Sequence, residues 1–248
     1  MNFGSSNPLS SLPEVVKNLL IINVLMLLAT YVALQARIDI TDWLGLHHWR
    51  SELFMPHQLI TYMFLHGGIT HLFFNMFALW MFGRVLEQVF GPKRFLIYYM
   101  VTGIGAGVIQ LITTELRLQS LLGDLTPQDF ELIMREGLEI LQAGKNYVDP
   151  TAREINALIN RSTVGASGAV FGILLAFGML FPNVQLMLLI PPIPIKAKYF
   201  VIIYGALELY LGISNNPADN VAHFAHLGGM LFGYFMIKWW KYNRTNTH

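Results

Sequence analysis

The stretch Gly165-Ala166-Ser167-Gly168-Ala169-Val170-Phe171-Gly172-Ile173-Leu174-Leu175-Ala176-Phe177-Gly178-Met179-Leu180-Phe181 runs from a polar turn straight into an unbroken apolar segment. Small residues recur every fourth position in Gly168-x-x-x-Gly172-x-x-x-Ala176, the spacing with which membrane helices approach one another closely. Ser167 stands at the head of this segment. A hydroxyl there has two readings, helix packing or nucleophilic chemistry.

The rest of the chain places that segment in a bilayer. Of its 248 residues, 54% are hydrophobic and 12% charged, with a mean hydropathy of +0.48; soluble domains carry about 25% charged residues. Windows near the roughly 20 residues that span a bilayer fall at about 15–35, 71–90, 95–114, 167–182, 198–213 and 222–240. The expectation is an all-α, multi-pass integral membrane protein: one domain over 1–248, six spanning helices, and a short helical insertion at 115–162 between the third and fourth spans.

The N-terminal run MNFGSSNPLSSLPEVVKNLL lacks the basic start and small-residue cleavage site of a removed signal peptide, so the first span is expected to be retained. The absence of cysteine excludes disulfides, thiol catalysis and cysteine metal ligands. With six spans both termini share a side. Lys17, Arg84, Lys93, Arg94, Lys196, Lys198, Lys238, Lys241 and Arg244 fall there, opposed by Glu14 and Glu87. Asp39, Asp42, Glu52, Asp219 and most acids of 115–161 fall opposite. The excess of cations predicts cytoplasmic termini, as in a prokaryotic inner membrane, with Ser167 and His226 toward the outer face.

Between the first two spans, 36–70 is aromatic and amphipathic (Trp43, Trp49, Phe54, Tyr62, Phe64) and reads as a segment lying in the interface. In the insertion, Thr126-Pro127-Gln128-Asp129 predicts an N-cap followed by proline at the first helical position. Asp149-Pro150 opens a second helix through about Asn160. Pro191-Pro192 and Pro194 make Val184 to Ile195 a non-helical connector.

Three polar clusters sit in apolar surroundings, where they are expensive to keep unless used. Ser167 is the first. If Phe181-Pro182 marks the inner boundary, its 15-residue helix is about 22 Å long, against a hydrocarbon core of about 30 Å. The hydroxyl is then sunk below the outer surface and needs water delivered through a cavity. In the second, Ala225-His226-Leu227-Gly228-Gly229-x-x-x-Gly233, His226 lies one turn before Gly229, on the face that can approach the fourth span. An imidazole beside a serine can take its proton during attack on a carbonyl. His223, one turn earlier, reads as structural or interfacial. In the third, His71 and Asn75 lie four apart on one face of the second span. They suit either an interhelical hydrogen bond or donation to a developing oxyanion, together with the Ser167 N–H at the first turn of its helix. Glu208, a carboxylate amid apolar residues of the fifth span, reads as a partnered structural group.

In their order, these residues resemble the rhomboid intramembrane serine proteases: Thr61-Tyr62-Met63-Phe64-Leu65-His66 leading into His71-x-x-x-Asn75, then Gly165-Ala166-Ser167-Gly168, then Ala225-His226-x-x-Gly229-x-x-x-Gly233, over about 50 to 240. The resemblance implies a six-helix rhomboid-like bundle and a serine–histidine dyad with no acidic third member. By position, Ser167 would be the nucleophile, His226 the base, and His71, Asn75 and the Ser167 amide the oxyanion hole. It implies transmembrane protein substrates cut near the outer face, a lipid bilayer, no nucleic acid and no cofactor. The sequence departs from the family pattern at His57-Gln58, where tryptophan and then glutamine or arginine are usual. It departs again at Phe171, where a tyrosine often stacks on the histidine, and in the longer insertion. Two other readings remain: a catalytically silent rhomboid-like protein that binds membrane clients, and a metal enzyme or transporter using His47, His48, His57, His66, His71 and His223. The chain has no His-Glu-x-x-His pattern to support the latter.

Overall fold

The computed structural model describes residues 12–187, 192–214 and 221–245. Pro191, Asp219 and most of the N-terminal stretch therefore lie outside the described residues. Helices dominate. α1 (Glu14–Gln35) is followed by two single turns, α2 (Thr41–Leu44) and α3 (Gln58–Thr61). α4 (Ile69–Ala78) continues through a π-helical turn at Leu79–Gly83 into α5 (Arg84–Phe90), and α6 spans Pro92–Leu122. α7 (Pro127–Gln142) and α8 (Pro150–Asn160) precede α9 (Ser167–Leu180), α10 (Ala197–Ser214) and α11 (His223–Thr245).

Four of these rods are long and apolar enough to cross a membrane: α1, the continuous Ile69–Phe90 rod, α6 and α10. α9 is a shorter apolar helix of 14 residues, and α11 has 23 residues and begins at His223. Large apolar side chains face outward from α1 and α10, among them Val32, Ile202, Tyr210 and Ile213, each more than half exposed. A bilayer covers such a surface where water would not.

The bundle is centred on α9, which packs against α6 and α11. Its small-residue stripe makes the contact possible. A Cβ on Gly168 would run into Ala106 of α6, and one on Gly172 into Thr102. From the other side, a Cβ on Gly229 would run into the Gly168 carbonyl, and one on Gly233 into the Tyr98 hydroxyl. Glycine thus lets three backbones meet where lipid offers no hydrophobic push between helices. Tyr98 Oη then donates to the Gly172 carbonyl at 2.8 Å, and Tyr62 Oη to the Gly103 carbonyl at 2.7 Å. At the base of the bundle, the buried Glu87 carboxylate accepts from the N–H groups of Val15 and Val16 at 2.9 and 2.8 Å. It caps α1, whose own N-cap, Pro13, offers no side chain for the purpose.

One segment differs from the expectation. The third helix does not stop near residue 114 but runs on to Leu122. Its last turns carry Leu118 and Leu121, which pack with Ile133, Ala152, Ile155 and Ile159 of α7 and α8, so the insertion has its own small core on the end of α6. The Thr126 hydroxyl caps α7 by accepting from the Asp129 N–H, and Asp149 caps α8 through the Ala152 N–H. The connector after α9 is non-helical, as expected: β1 (Gln185–Met187) and β2 (Pro194–Lys196) pair antiparallel, Leu186 opposite Ile195. The prolines that forbid helix still permit a short two-stranded edge.

Candidate active site

The site forms where the start of α9 meets the start of α11. Gly165, with φ of +134°, lets the chain turn into α9; L side chains rarely adopt that conformation. A Cβ added there would lie 2.9 Å from the His71 ring and 3.6 Å from Ser167 Oγ, so the imidazole of α4 and the hydroxyl of α9 flank one point. The segment before α9 is pinned twice: Gly165 N–H donates to the Tyr62 carbonyl at 3.0 Å, and Leu46 and Thr163 exchange backbone hydrogen bonds at 2.9 and 2.8 Å.

Ser167 and His226 meet. His226 Nε2 lies 2.7 Å from Ser167 Oγ, and the Phe171 ring stacks on the imidazole with centroids 4.2 Å apart and planes 6° from parallel. The other ring nitrogen, Nδ1, faces Glu208 Oε2 at 2.8 Å. A carboxylate only accepts, so Nδ1 carries the proton and Nε2 is free to accept from the serine hydroxyl. His223 Nδ1 reaches the same Glu208 oxygen at 2.6 Å. All three side chains are buried. The sequence alone points to a partnered structural carboxylate at Glu208, and its partners are the two histidines of α11. Its signal was present: an ionisable residue inside a span, with two histidines three apart on one helix face.

His71 and Asn75 share a face of α4, and the His71 ring lies beside Gly165 and Ser167. Gly67 N–H donates to His71 Nδ1 at 3.3 Å, which leaves the proton on Nε2, the atom turned toward Gly165. Asn75 Nδ2 spends one hydrogen on the His71 carbonyl at 3.1 Å. Among the described residues no acceptor takes the Ser167 N–H, as its position at the head of a helix dictates. His66 packs edge-on against His71, ring centroids 5.0 Å apart. It is buried, and burial pushes it down to about 4, so it is neutral at physiological pH.

His47, His48 and His57 take their partners elsewhere. His57 Nε2–H donates to the Trp43 carbonyl at 2.9 Å, and His47 Nδ1–H to the Gly45 carbonyl at 3.1 Å. His48 lies 3.3 Å from Glu115, which also holds Arg50 in a two-pronged pair at 3.0 and 2.7 Å. Gln58, fully buried, accepts from His47 N–H and donates to the Leu53 carbonyl at 2.7 Å, so the unusual His57-Gln58 pair organises the first loop. Among the described residues, Glu208, His223 and His226 form the cluster whose atoms lie near enough to share a metal ion, within 4.8 Å. A tetrahedral zinc with bonds of about 2.0–2.2 Å would hold its ligand atoms about 3.3 Å apart or more. The 2.6 and 2.8 Å contacts are direct hydrogen bonds.

The Rhomboid domain model matches residues 53–242, which takes in every residue of this constellation. The chain belongs to the Rhomboid family. Among curated proteins, this rhomboid is 28% identical over 179 residues to RHOMBOID-like protein 5 of Arabidopsis thaliana, covering 72% of this chain and 42% of that protein. It is 26% identical over 192 residues to Rhomboid protein 1, mitochondrial, of Saccharomyces cerevisiae, covering 73% and 42%. It is likewise 26% identical over 184 residues to the putative rhomboid protease YdcA of Bacillus subtilis, covering 73% and 67%. The chain thus spans less than half the length of the first two of these relatives. Family membership makes it an integral membrane protein in contact with a lipid bilayer, as its apolar rods require.

Proposed function

We propose that this rhomboid is an intramembrane serine endopeptidase that cuts single-pass membrane proteins near the outer end of their spanning helix. The observation that carries the reading is the 2.7 Å hydrogen bond between Ser167 Oγ and His226 Nε2, with the imidazole clamped by Phe171. Six spans are the arrangement we favour: α1, the α4–α5 rod, α6, α9, α10 and α11. The excess of lysine and arginine at the end opposite Ser167 supports cytoplasmic termini.

In this mechanism Ser167 Oγ attacks the carbonyl carbon of the scissile peptide bond while its proton passes to His226 Nε2. The carbonyl oxygen becomes an oxyanion, received by the Ser167 N–H, His71 Nε2–H and the remaining hydrogen of Asn75 Nδ2. Collapse breaks the C–N bond, and His226 returns the proton to the departing amine. Water then attacks the acyl ester, gives its proton to Nε2 and releases the carboxylic acid, with Ser167 regaining its hydrogen. A substrate helix must unwind locally to expose the bond, so glycine or other poor helix formers near the cut favour cleavage.

The test is cleavage of a single-pass substrate reconstituted in lipid with the purified protein. Ser167→Ala is expected to lose all cleavage while retaining its melting temperature. Undiminished cleavage by that variant means the nucleophile is another residue.

A further inference from the structure

The family pattern supplies the imidazole with no acidic partner, yet here a carboxylate sits on its far nitrogen. We propose that Glu208 is a positioning residue for His226, completing a Ser167–His226–Glu208 relay with His223 as a second anchor on the carboxylate. The proposal rests on the peptidase reading and extends it.

The geometry has the parts such a role needs. Glu208 Oε2 lies 2.8 Å from His226 Nδ1, and His226 Nε2 lies 2.7 Å from Ser167 Oγ, so carboxylate, imidazole and hydroxyl form one chain of hydrogen bonds. The carboxylate does two things. It fixes the tautomer with the proton on Nδ1, leaving Nε2 as the base, and it offsets the positive charge that the ring acquires once it has taken the serine proton. Phe171 stacking alone fixes the plane of the ring but not which nitrogen carries the proton.

His223 explains how a mid-span carboxylate is held. Its Nδ1–H donates to the same oxygen at 2.6 Å from one turn earlier on α11. Two donors on one oxygen hold the carboxylate against rotation, and burial of all three groups keeps water from competing for it. The other titratable neighbour of His226 is His71, across the site on α4, with His66 packed behind it. Neither carries a negative charge, so Glu208 is the anion within reach of the ring among the described residues.

The experiment is steady-state kinetics on the full chain in lipid, with Ser167→Ala in the same assay. For Glu208→Gln we expect kcat to fall about 10- to 100-fold, the scale of one hydrogen bond to a charged group, with KM within about threefold. The wild-type protein, labelled with nitrogen-15 in its histidines, should show a strongly deshielded, exchange-protected Nδ1–H resonance that both His226→Gln and Glu208→Gln remove. A merely structural tie between α10 and α11 would lower the melting temperature without that split in kinetic constants. Wild-type kcat in a folded Glu208→Gln protein, alongside a dead Ser167→Ala, overturns the proposal and leaves the peptidase reading standing. Cleavage by Ser167→Ala overturns the peptidase reading itself. If Glu208→Gln does not fold, the wild-type spectrum decides: the deshielded proton assigned to His226 supports the relay, and its absence overturns it.

Discussion

Substituting Gly229 by alanine is a severe and specific test of how the site is assembled. The new Cβ would collide with the carbonyl group of Gly168, backbone against backbone, with no flexible side chain to yield. A carbon needs about 3.3–3.6 Å from a carbonyl oxygen, so α11 must withdraw from α9 by on the order of 1 Å or more. The Ser167–His226 hydrogen bond, now 2.7 Å, would then stretch to about 3.7 Å or beyond, past the length at which it holds. A displacement of about 1 Å at a reacting centre lowers rate about 10²-fold, or about 2.7 kcal/mol of barrier. Alanine is the better helix former by roughly 1 kcal/mol, so local propensity works against the predicted loss. The assay is initial cleavage rate in lipid, with Gly123→Ala as control, since a Cβ at Gly123 meets nothing within 4 Å. A Gly229→Ala protein cleaving within about threefold of wild type would refute the close-packed origin of the dyad.

Other outcomes follow from individual contacts. Asn75→Ala should lower kcat about 10²–10³-fold, the cost of one oxyanion donor, less than the loss in Ser167→Ala; an unchanged rate in the cleavage assay removes Asn75 from the site. Glu87→Ala should lower unfolding stability in detergent by about 2–4 kcal/mol, because two backbone N–H groups of α1 lose a buried charged acceptor. Prolonged chelation should leave cleavage unchanged, as Glu208, His223 and His226 stand at hydrogen-bond and not metal-bridged separations. His66, at about 4 in the folded protein against an ordinary value of 6.5, binds fewer protons than it does unfolded between those values. Stability therefore falls as pH drops from 6.5 toward 4, and His66→Leu should flatten that part of a thermal-melt profile.

Much of this architecture is legible in the residues. The spacing of Gly168, Gly172, Gly229 and Gly233 encodes which helix faces meet, because a Cβ at any of them would run into a neighbouring helix. Thr126 and Asp149 announce the starts of α7 and α8 through their own capping chemistry. What stays hidden depends on tertiary partners. That α6 lines the same stripe through Thr102 and Ala106 cannot be seen where its small residues crowd together at 102–107 without a single spacing. The end of α6 is hidden for the same reason: Leu118 and Leu121 are held by α7 and α8. The sequence marks Glu208 as an ionisable group needing a partner, but nothing local specifies which way a lone carboxylate turns, so its pairing with His226 emerges only from the packing of α10 on α11.

The most direct measurement is covalent trapping. A serine-directed fluorophosphonate, applied to the purified protein in lipid and mapped by peptide mass, should modify Ser167 and nothing else, with labelling abolished in His226→Ala. An unlabelled wild-type protein, a label on another residue, or full labelling in the absence of the His226 imidazole would contradict an activated serine at the meeting of α9 and α11.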